Sequence, residues 1–153
     1  MKKALIIIAF LALAVSAQAQ SDKTRGNNFN IRHNVAIGGY DPVSYFDGKP
    51  AKGSKTIAYA HHGVTYYFAK EANKNKFKAD PQRYEPAYGG WCAYAMGVSG
   101  DKVKIDPGTY KITDGKLYLF YNFSGTNTLT LWNKDEPGLI TKGDNYWDKI
   151  LTK

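Results

Sequence analysis

The sequence predicts an α+β fold in which short helices pack on a small antiparallel sheet formed by two β-hairpins. Each predicted hairpin consists of two β-branched and aromatic runs around a short turn, at residues 56–68 and 110–121. Helix-like segments lie between these hairpins and after them. The chain has 153 residues, of which 43% are hydrophobic, and this is enough for one domain with a modest core.

Residues 1–19 have the pattern of a signal peptide. Two lysines precede an apolar run at residues 4–15, which is too short to span a bilayer. Small residues at Ala17 and Ala19 predict cleavage before Gln20. We therefore expect a periplasmic or secreted protein that is not inserted in a membrane after cleavage, with an uncleaved N-terminal anchor as the alternative.

Residues 20–34 are expected to form a flexible lead-in because this segment is polar, and residues 35–153 are expected to form the single domain. Near the start of the domain, a short helical turn is predicted that carries Tyr45. Asp41 can cap this turn, and Pro42 fits the first helical position.

The two hairpins contain the clearest turn signals. In the first hairpin, His62-Gly63 forms the turn, and alternation along the strands places His61 and His62 on opposite faces. In the second hairpin, Asp114-Gly115 lies between the strands, and this dipeptide favours a type I′ turn.

Helices and bends fill the space between the hairpins. A helix is predicted from Lys70 to Ala79, and Asp80-Pro81 ends it because the residue before proline resists the α region. Gly89-Gly90 then bends the chain before a helix that begins at Cys92, since glycine allows positive φ or a close backbone approach. Asp106-Pro107-Gly108 is expected to form another turn.

Two more helices are predicted near the C-terminus. Ser124 can cap a helix that covers Leu129 and Trp132. Glu136-Pro137 opens the last helix, although Gly143 is unfavourable inside it.

The charge pattern favours a solvated basic surface over a nucleic-acid interface. The formal net charge is +8, but the lysines are spread along the chain instead of clustered. An exported protein would also not meet nucleic acid as its usual partner. We therefore expect no nucleic-acid binding.

Cys92 is the only cysteine, so it cannot form an internal disulfide. It is four residues from Met96, and on a helix the two side chains share a face. Thiolate and thioether ligands suit Cu(I), and an imidazole from His61 or His62 would complete a three-coordinate site. The alternatives are that Cys92 and Met96 are core residues, or that Cys92 and His61 form the nucleophilic pair of an enzyme.

Aromatic side chains suggest a second kind of site. They could line a surface for a small ligand or a protein partner, or they could fill the core. The residues of this predicted surface are Tyr40, Asp41, Tyr45, Tyr67, Tyr88 and Trp91.

Three motifs together resemble the exported bacterial branch of the YHS domain family. These motifs are Gly39 to Phe46, Gly63 to Phe68, and Tyr88 to Ala93. The later Asp114 to Leu119 segment is similar to the C-terminal extension of that branch, so the resemblance covers nearly all of Val35 to Trp147.

The resemblance implies a small domain with a treble-clef-like core and a metal, especially copper, as ligand. It also implies metal-handling or membrane-associated proteins as partners, and no enzymatic activity is established for the exported branch as a whole. Cytoplasmic members carry a cysteine at the position of Ala69, so the metal site of those members does not transfer here. Cys92 is the family position that this sequence retains.

Overall fold

A computed structural model describes residues 21–153 and confirms the α+β class, with mixed helices and small antiparallel sheets. The predicted signal peptide and its cleavage site lie outside the described residues. The strands are β1 (Ile31–Arg32), β2 (Val35–Ala36), β3 (Ser54–His61), β4 (Val64–Phe68), β5 (Asp106–Thr113), β6 (Lys116–Phe120), β7 (Asn122–Phe123) and β8 (Thr126–Asn127). The helices are α1 (21–28), α2 (Glu71–Ala79), α3 (Pro81–Tyr84), α4 (Ala93–Ser99), α5 (Thr128–Trp132) and α6 (Glu136–Leu151).

The strands form separate two-stranded antiparallel hairpins, β1–β2, β3–β4, β5–β6 and β7–β8. In the predicted turn at Asp114-Gly115, φ is 51° and 73°, as a type I′ turn requires. The hairpins do not merge into the single sheet that we expected. The reason is that the bend after α3 occupies the second edge of β6. Isolated parallel bridges join Pro86 to Leu117 and Cys92 to Leu119 along this edge.

Two local predictions in the C-terminal half were wrong. Asp106-Pro107-Gly108 is the start of β5, where a shift in register precedes Tyr110, and it is not a turn. Ser124 lies in the β7–β8 turn at φ 53° and does not cap α5. Asn127 caps that helix by accepting a hydrogen bond from the Leu129 amide, because β8 separates Ser124 from the start of the helix.

The segment that we expected to be a flexible lead-in is ordered by contacts with distant parts of the chain. Residues 21–28 are helical, and Phe29 and Asn30 are buried. The Asn30 amide nitrogen and side chain donate to the carbonyl oxygens of Gly89 and Gly90, both at 2.9 Å. None of the helices in the described residues is long and apolar enough to cross a membrane.

The core consists of two adjoining clusters of buried side chains. Alternate residues of β4 are buried, and Val64, Tyr66 and Phe68 pack with Phe77 of α2 in the first cluster. The second cluster surrounds Trp132 and lies between β6, α4 and α6. Aromatic ring contacts occur in both clusters, edge-on between Tyr45 and Tyr110 in the first and between Phe120 and Trp132 in the second.

Asp41 is fully buried and holds three segments together. Its Oδ1 accepts from the Val43 amide at 2.9 Å, just before the short 3-10 turn at Ser44–Asp47. Val43, and not Asp41 as we expected, is the N-cap residue of this turn. Its Oδ2 accepts from the Ala69 amide at 2.9 Å and from Asn73 Nδ2 at 2.7 Å. The carboxylate therefore joins this turn to the end of β4 and to α2.

We predict that Asp41→Ala lowers the free energy of unfolding by about 3 kcal/mol, because several buried donors lose a charged acceptor. Urea denaturation monitored by circular dichroism measures this change. Asp47→Ala is the matched control, because Asp47 is exposed. Equal stabilities of the two variants would contradict a structural role for Asp41.

Glu136, at the start of α6, provides a test of pH dependence. Burial alone would raise its pKa, but hydrogen bonds from Lys111, Thr113 and Trp132 outweigh burial and lower the pKa from its ordinary value of 4.5. Ionised Glu136 therefore stabilises the folded state. This contribution is complete above the unfolded pKa and disappears as the pH falls through the lower, folded pKa.

We predict that Glu136→Gln costs about 1–2 kcal/mol of stability at neutral pH and progressively less below about pH 4. Thermal unfolding of both proteins between pH 3 and pH 7, in steps of about one unit, measures the difference. Glu71→Gln serves as the control, because Glu71 is exposed and, within the described part of the chain, pairs with Lys74 alone. A stability difference independent of pH would refute the assignment.

Candidate functional site

A cavity of about 440 Å³ lies between α1, the bend after α3, the start of β6, and α6. We call it the Glu85 groove. A second cavity, of about 420 Å³, adjoins it and shares Arg25, Gln82 and Glu85. The side chains of the Glu85 groove used below are Arg25, Phe29, Glu85, Tyr88, Lys116, Tyr118, Asp144 and Trp147.

Glu85 is a buried carboxylate at the junction of the two cavities, with 8% of its surface exposed. Its Oε1 accepts from Arg25 Nη2 and from the Tyr66 hydroxyl, the latter at 2.8 Å. Burial, followed by the charge of Glu85, raises the pKa of Tyr66, so this hydroxyl remains a hydrogen-bond donor. Arg25 also donates from Nε to the His62 carbonyl oxygen, and it thereby attaches α1 to the first hairpin.

The bend lines the groove, and its backbone adopts left-handed conformations. Tyr88, Gly89 and Gly90 have φ values of 56°, 58° and 83°. A Cβ atom on Gly89 would lie 2.8 Å from the Trp147 ring and 2.9 Å from the Phe29 ring, so only glycine fits between them. Strained backbone of this kind is enriched at binding sites.

The Tyr88 side chain packs directly on α6. A Cβ atom on Gly143 would lie 2.6 Å from the Tyr88 hydroxyl oxygen, which explains a glycine in the middle of this helix. The hydroxyl donates to Asp144 Oδ1 at 3.1 Å. Burial, followed by the charge of Asp144, raises the pKa of Tyr88. Burial and nearby carboxylates raise the pKa of Tyr118 to about 12. The hydroxyls of Tyr88 and Tyr118 therefore keep their protons at neutral pH.

Two opposite charges of the groove have no ionic partner among the described residues. Asp144 accepts the Tyr88 hydroxyl but pairs with no Lys or Arg in residues 21–153. Lys116, at the start of β6, forms no ion pair within the same range. Both side chains line the cavity, together with the Tyr118 and Trp147 rings.

His61 and His62 line the adjoining cavity and lie on the same side of the hairpin. Their ring centroids are 4.2 Å apart, which corrects the prediction of opposite faces. The reason is that His62 has a φ of 46° in the turn, where strand alternation no longer applies. Burial lowers the pKa of His61, and His62 Nδ1 lies 3.1 Å from Asp22 Oδ1.

Cys92 and Met96 are fully buried. The Cys92 sulfur accepts from the Tyr121 amide and lies against the Thr128 hydroxyl, both at 3.4 Å. It lines a separate, mainly apolar cavity of about 320 Å³ that neither histidine lines. The Cys92–His61 pair of an enzyme is therefore not assembled in this arrangement.

The four residues proposed as copper ligands also do not meet in one place. The described residues contain no group of three or more His, Cys, Asp and Glu side chains that could hold a metal ion. Cys92 and Met96 lie in the core, whereas His61 and His62 lie at the adjoining cavity of the Glu85 groove. This arrangement does not fit a single copper ion, and copper binding stays a prediction from the sequence.

The residues of the predicted aromatic surface are distributed over the molecule. Asp41 and Tyr45 are buried, and the Tyr45 hydroxyl donates to the Pro107 carbonyl oxygen. Trp91 donates from its indole nitrogen to the Asn28 carbonyl oxygen. The ring of Tyr40 faces the Lys52 ammonium, and Tyr67 is half-buried beside Gly39. Of the six residues, Tyr88 lines the Glu85 groove.

Sequence reasoning missed most of the groove. Arg25 lies in the segment that we expected to be a flexible lead-in, and no sequence pattern singles out Lys116, Asp144 or Trp147 as residues of a site. The available signal was Glu85, a carboxylate within the bend that also contains Gly89-Gly90. Comparisons with protein-family models, curated proteins and solved structures found no match to this chain. The resemblance to the YHS family stays a prediction.

We predict that Glu85→Gln lowers the free energy of unfolding by about 2 kcal/mol, because Arg25 is left largely buried without its counter-charge. Arg25→Met combined with Glu85→Gln should cost less than the sum of the single variants. Urea denaturation of the four proteins measures this coupling. Strict additivity would mean that the ion pair does not hold α1 against the bend.

Proposed function

We propose that the protein is a non-catalytic module, exported from the cytoplasm, that binds a small amphoteric organic molecule in the Glu85 groove. The observation that carries this proposal is the presence of two unpaired, opposite charges, Asp144 and Lys116, in one aromatic-lined cavity. Cavities of several hundred Å³ with few convergent polar groups are the usual form of small-ligand sites.

Four charged side chains line the groove. One pair of them is bonded to each other, and the other two have no ionic partner among the described residues. Glu85 and Arg25 neutralise each other, and the Tyr66 hydroxyl completes the hydrogen bonding of Glu85. Asp144 and Lys116 lie on different elements and lack such partners among the described residues. A ligand with a cationic and an anionic group would satisfy both and gain charge-assisted hydrogen bonds.

The walls of the groove favour a ligand with an apolar body. Trp147 is half-buried and contacts Phe29 edge-on, with ring centroids 5.6 Å apart. Tyr88 and Tyr118 also line the groove and pack against each other, with ring centroids 5.9 Å apart. Aromatic rings supply contact area at a low cost in side-chain entropy, so they suit a preformed site.

The chemistry of the groove supports binding over catalysis. The raised pKa values of Tyr88 and Tyr118 keep both hydroxyls protonated, so neither is a nucleophile or a general base at neutral pH. The Cys92 thiol lines another cavity and is fully buried. The groove therefore offers donors and charges that orient a ligand.

We predict that amphoteric aromatic fragments, such as aromatic amino acids, bind the purified protein and shift amide and indole NMR resonances around Trp147. Asp144→Asn and Lys116→Met should each weaken binding by about fivefold or more, since each removes one charge pair. Asp148→Asn and Lys142→Met are the matched controls, because both are exposed residues of α6 outside the lining.

Neutral fragments and purely anionic fragments of the same size are the control ligands, because they lack the cationic group that the proposal requires. If no amphoteric fragment bound, or if binding were unchanged in Asp144→Asn and Lys116→Met, the proposal would be wrong. Circular dichroism of each variant confirms that any loss of binding does not result from unfolding.

A further inference from the structure

We infer that the outer edge of β3 binds an extended, acidic segment of a partner protein, which pairs with β3 as an additional β-strand. The outer edge consists of the backbone amide and carbonyl groups of Ala58 and Ala60, which point away from β4. These two residues line neither the Glu85 groove nor the cavity beside it, so this binding surface is independent of the proposed function.

The register of the first hairpin determines which backbone groups face outward. The turn at His62-Gly63 has φ values of 46° and 77°, so it is a two-residue turn of type I′. The residues that flank such a turn, here His61 and Val64, form a hydrogen-bonded pair, and bonded and non-bonded pairs alternate from there. Ala58 and Ala60 belong to the non-bonded pairs, and their backbone groups therefore point away from β4.

The outer edge of β3 is open in the described part of the chain. No backbone group within residues 21–153 forms a hydrogen bond to it, whereas the bend occupies the second edge of β6. Ala60 is exposed and Ala58 is half-buried. A shift in register between Ser54 and Ala58 limits the open edge to the C-terminal half of β3. An open strand edge is the surface to which an extended peptide adds as a further strand.

The first hairpin and α2 carry most of the net positive charge. From Ser54 to Ala79 the chain contains five lysines and a single acidic residue, Glu71, which pairs with Lys74. The rest of residues 21–153 contains 14 basic and 12 acidic residues, whose charges nearly cancel. Complementary charge steers association and selects between partners, so this part of the surface favours an acidic partner.

Two lysines lie where they can meet acidic side chains of an added strand. Lys78 of α2 lies over the Tyr59 ring, with Nζ 5.6 Å from the ring centroid, and Tyr59 stands between Ala58 and Ala60. Lys55 is exposed near the start of β3. Side chains on neighbouring strands lie beside each other on one face, so a glutamate opposite Tyr59 can pair with Lys78.

The same charge disfavours pairing between two copies of this chain. If the outer edges of two copies paired, the Lys55 and Lys78 side chains of both would meet at one interface. Like charges on paired strands are destabilising, and lysine on an edge strand commonly prevents self-association. The charge distribution therefore favours an acidic partner over a second copy.

Three synthetic peptides of about eight residues, an ordinary strand length, test this inference in NMR titrations with the purified protein. The first alternates valine with glutamate. The second alternates valine with lysine, and the third has the sequence of the first with every backbone nitrogen methylated. We expect the first peptide to bind at least about tenfold more tightly than the others, because the second reverses the charge and the third lacks backbone donors.

Amide hydrogen exchange locates the contact. In the free protein, the Ala58 and Ala60 amides should exchange faster than those of Tyr59 and His61, which are bonded to β4. The valine–glutamate peptide should slow exchange at Ala58 and Ala60 by at least about tenfold and leave Tyr59 and His61 nearly unchanged.

Charge reversal tests the role of the lysines. Lys55→Glu combined with Lys78→Glu should weaken binding of the valine–glutamate peptide by about tenfold or more and should permit the valine–lysine peptide to bind. Lys134→Glu combined with Lys149→Glu is the matched control, because both are exposed residues outside the first hairpin and α2. Circular dichroism verifies that both double variants are folded.

Equal binding of the fully methylated peptide would overturn the inference, since charge alone would then account for binding. Failure of the valine–glutamate peptide to bind would also overturn it. If exchange at Ala58 and Ala60 slowed with increasing protein concentration in the absence of peptide, a second copy would occupy the edge and the inference would be wrong. None of these outcomes changes the test of the Glu85 groove.

Discussion

The buried carboxylate of Asp41 joins parts of the fold that no β-sheet joins. Two-stranded hairpins are marginally stable by themselves, and the hairpins of this protein remain separate from one another. Asp41 accepts hydrogen bonds from Val43, Ala69 and Asn73, so it connects a loop, a strand end and a helix. The Asn73 amide turns its nitrogen toward Asp41, and its own Oδ1 is buried without a hydrogen-bond partner among residues 21–153. That cost indicates how strongly the carboxylate determines the local arrangement.

Cys92 joins several segments in the C-terminal half of the chain, as Asp41 does in the N-terminal half. Its amide donates to the Val103 carbonyl oxygen, its backbone forms a parallel bridge with Leu119, and its sulfur accepts from the Tyr121 amide. A small, polarisable side chain fits this crowded junction between the bend, β6 and the segment before β5. The sequence suggests the single cysteine as a metal ligand or nucleophile, and in the structure its side chain is fully buried in the core.

The local structure was predictable where one or two neighbouring residues determine it. Asp114-Gly115 specifies its turn because both residues must adopt positive φ, and Asp80-Pro81 ends α2 because proline restricts the residue before it. The Glu85 groove was not predictable in this way. Arg25 and Glu85 are 60 residues apart, and nothing in a polar segment near the N-terminus indicates that one arginine will pair with a carboxylate of the bend. The positions of His61 and His62 were missed for a related reason, since strand alternation was extended into a turn.

The two carboxylates of the groove, Glu85 and Asp144, differ in whether the fold supplies them with a charged partner. Glu85 lies within the bend, where Arg25 and Tyr66 donate hydrogen bonds to it, and an incoming cation would have to displace the arginine. Asp144 lies on the open face of α6 and receives a single hydroxyl, from Tyr88. That hydroxyl reaches Asp144 because the left-handed bend directs Tyr88 against α6 at Gly143, where any side chain would collide with it. The same close packing that fixes the bend therefore orients Asp144, which forms no ion pair with any residue of the range 21–153.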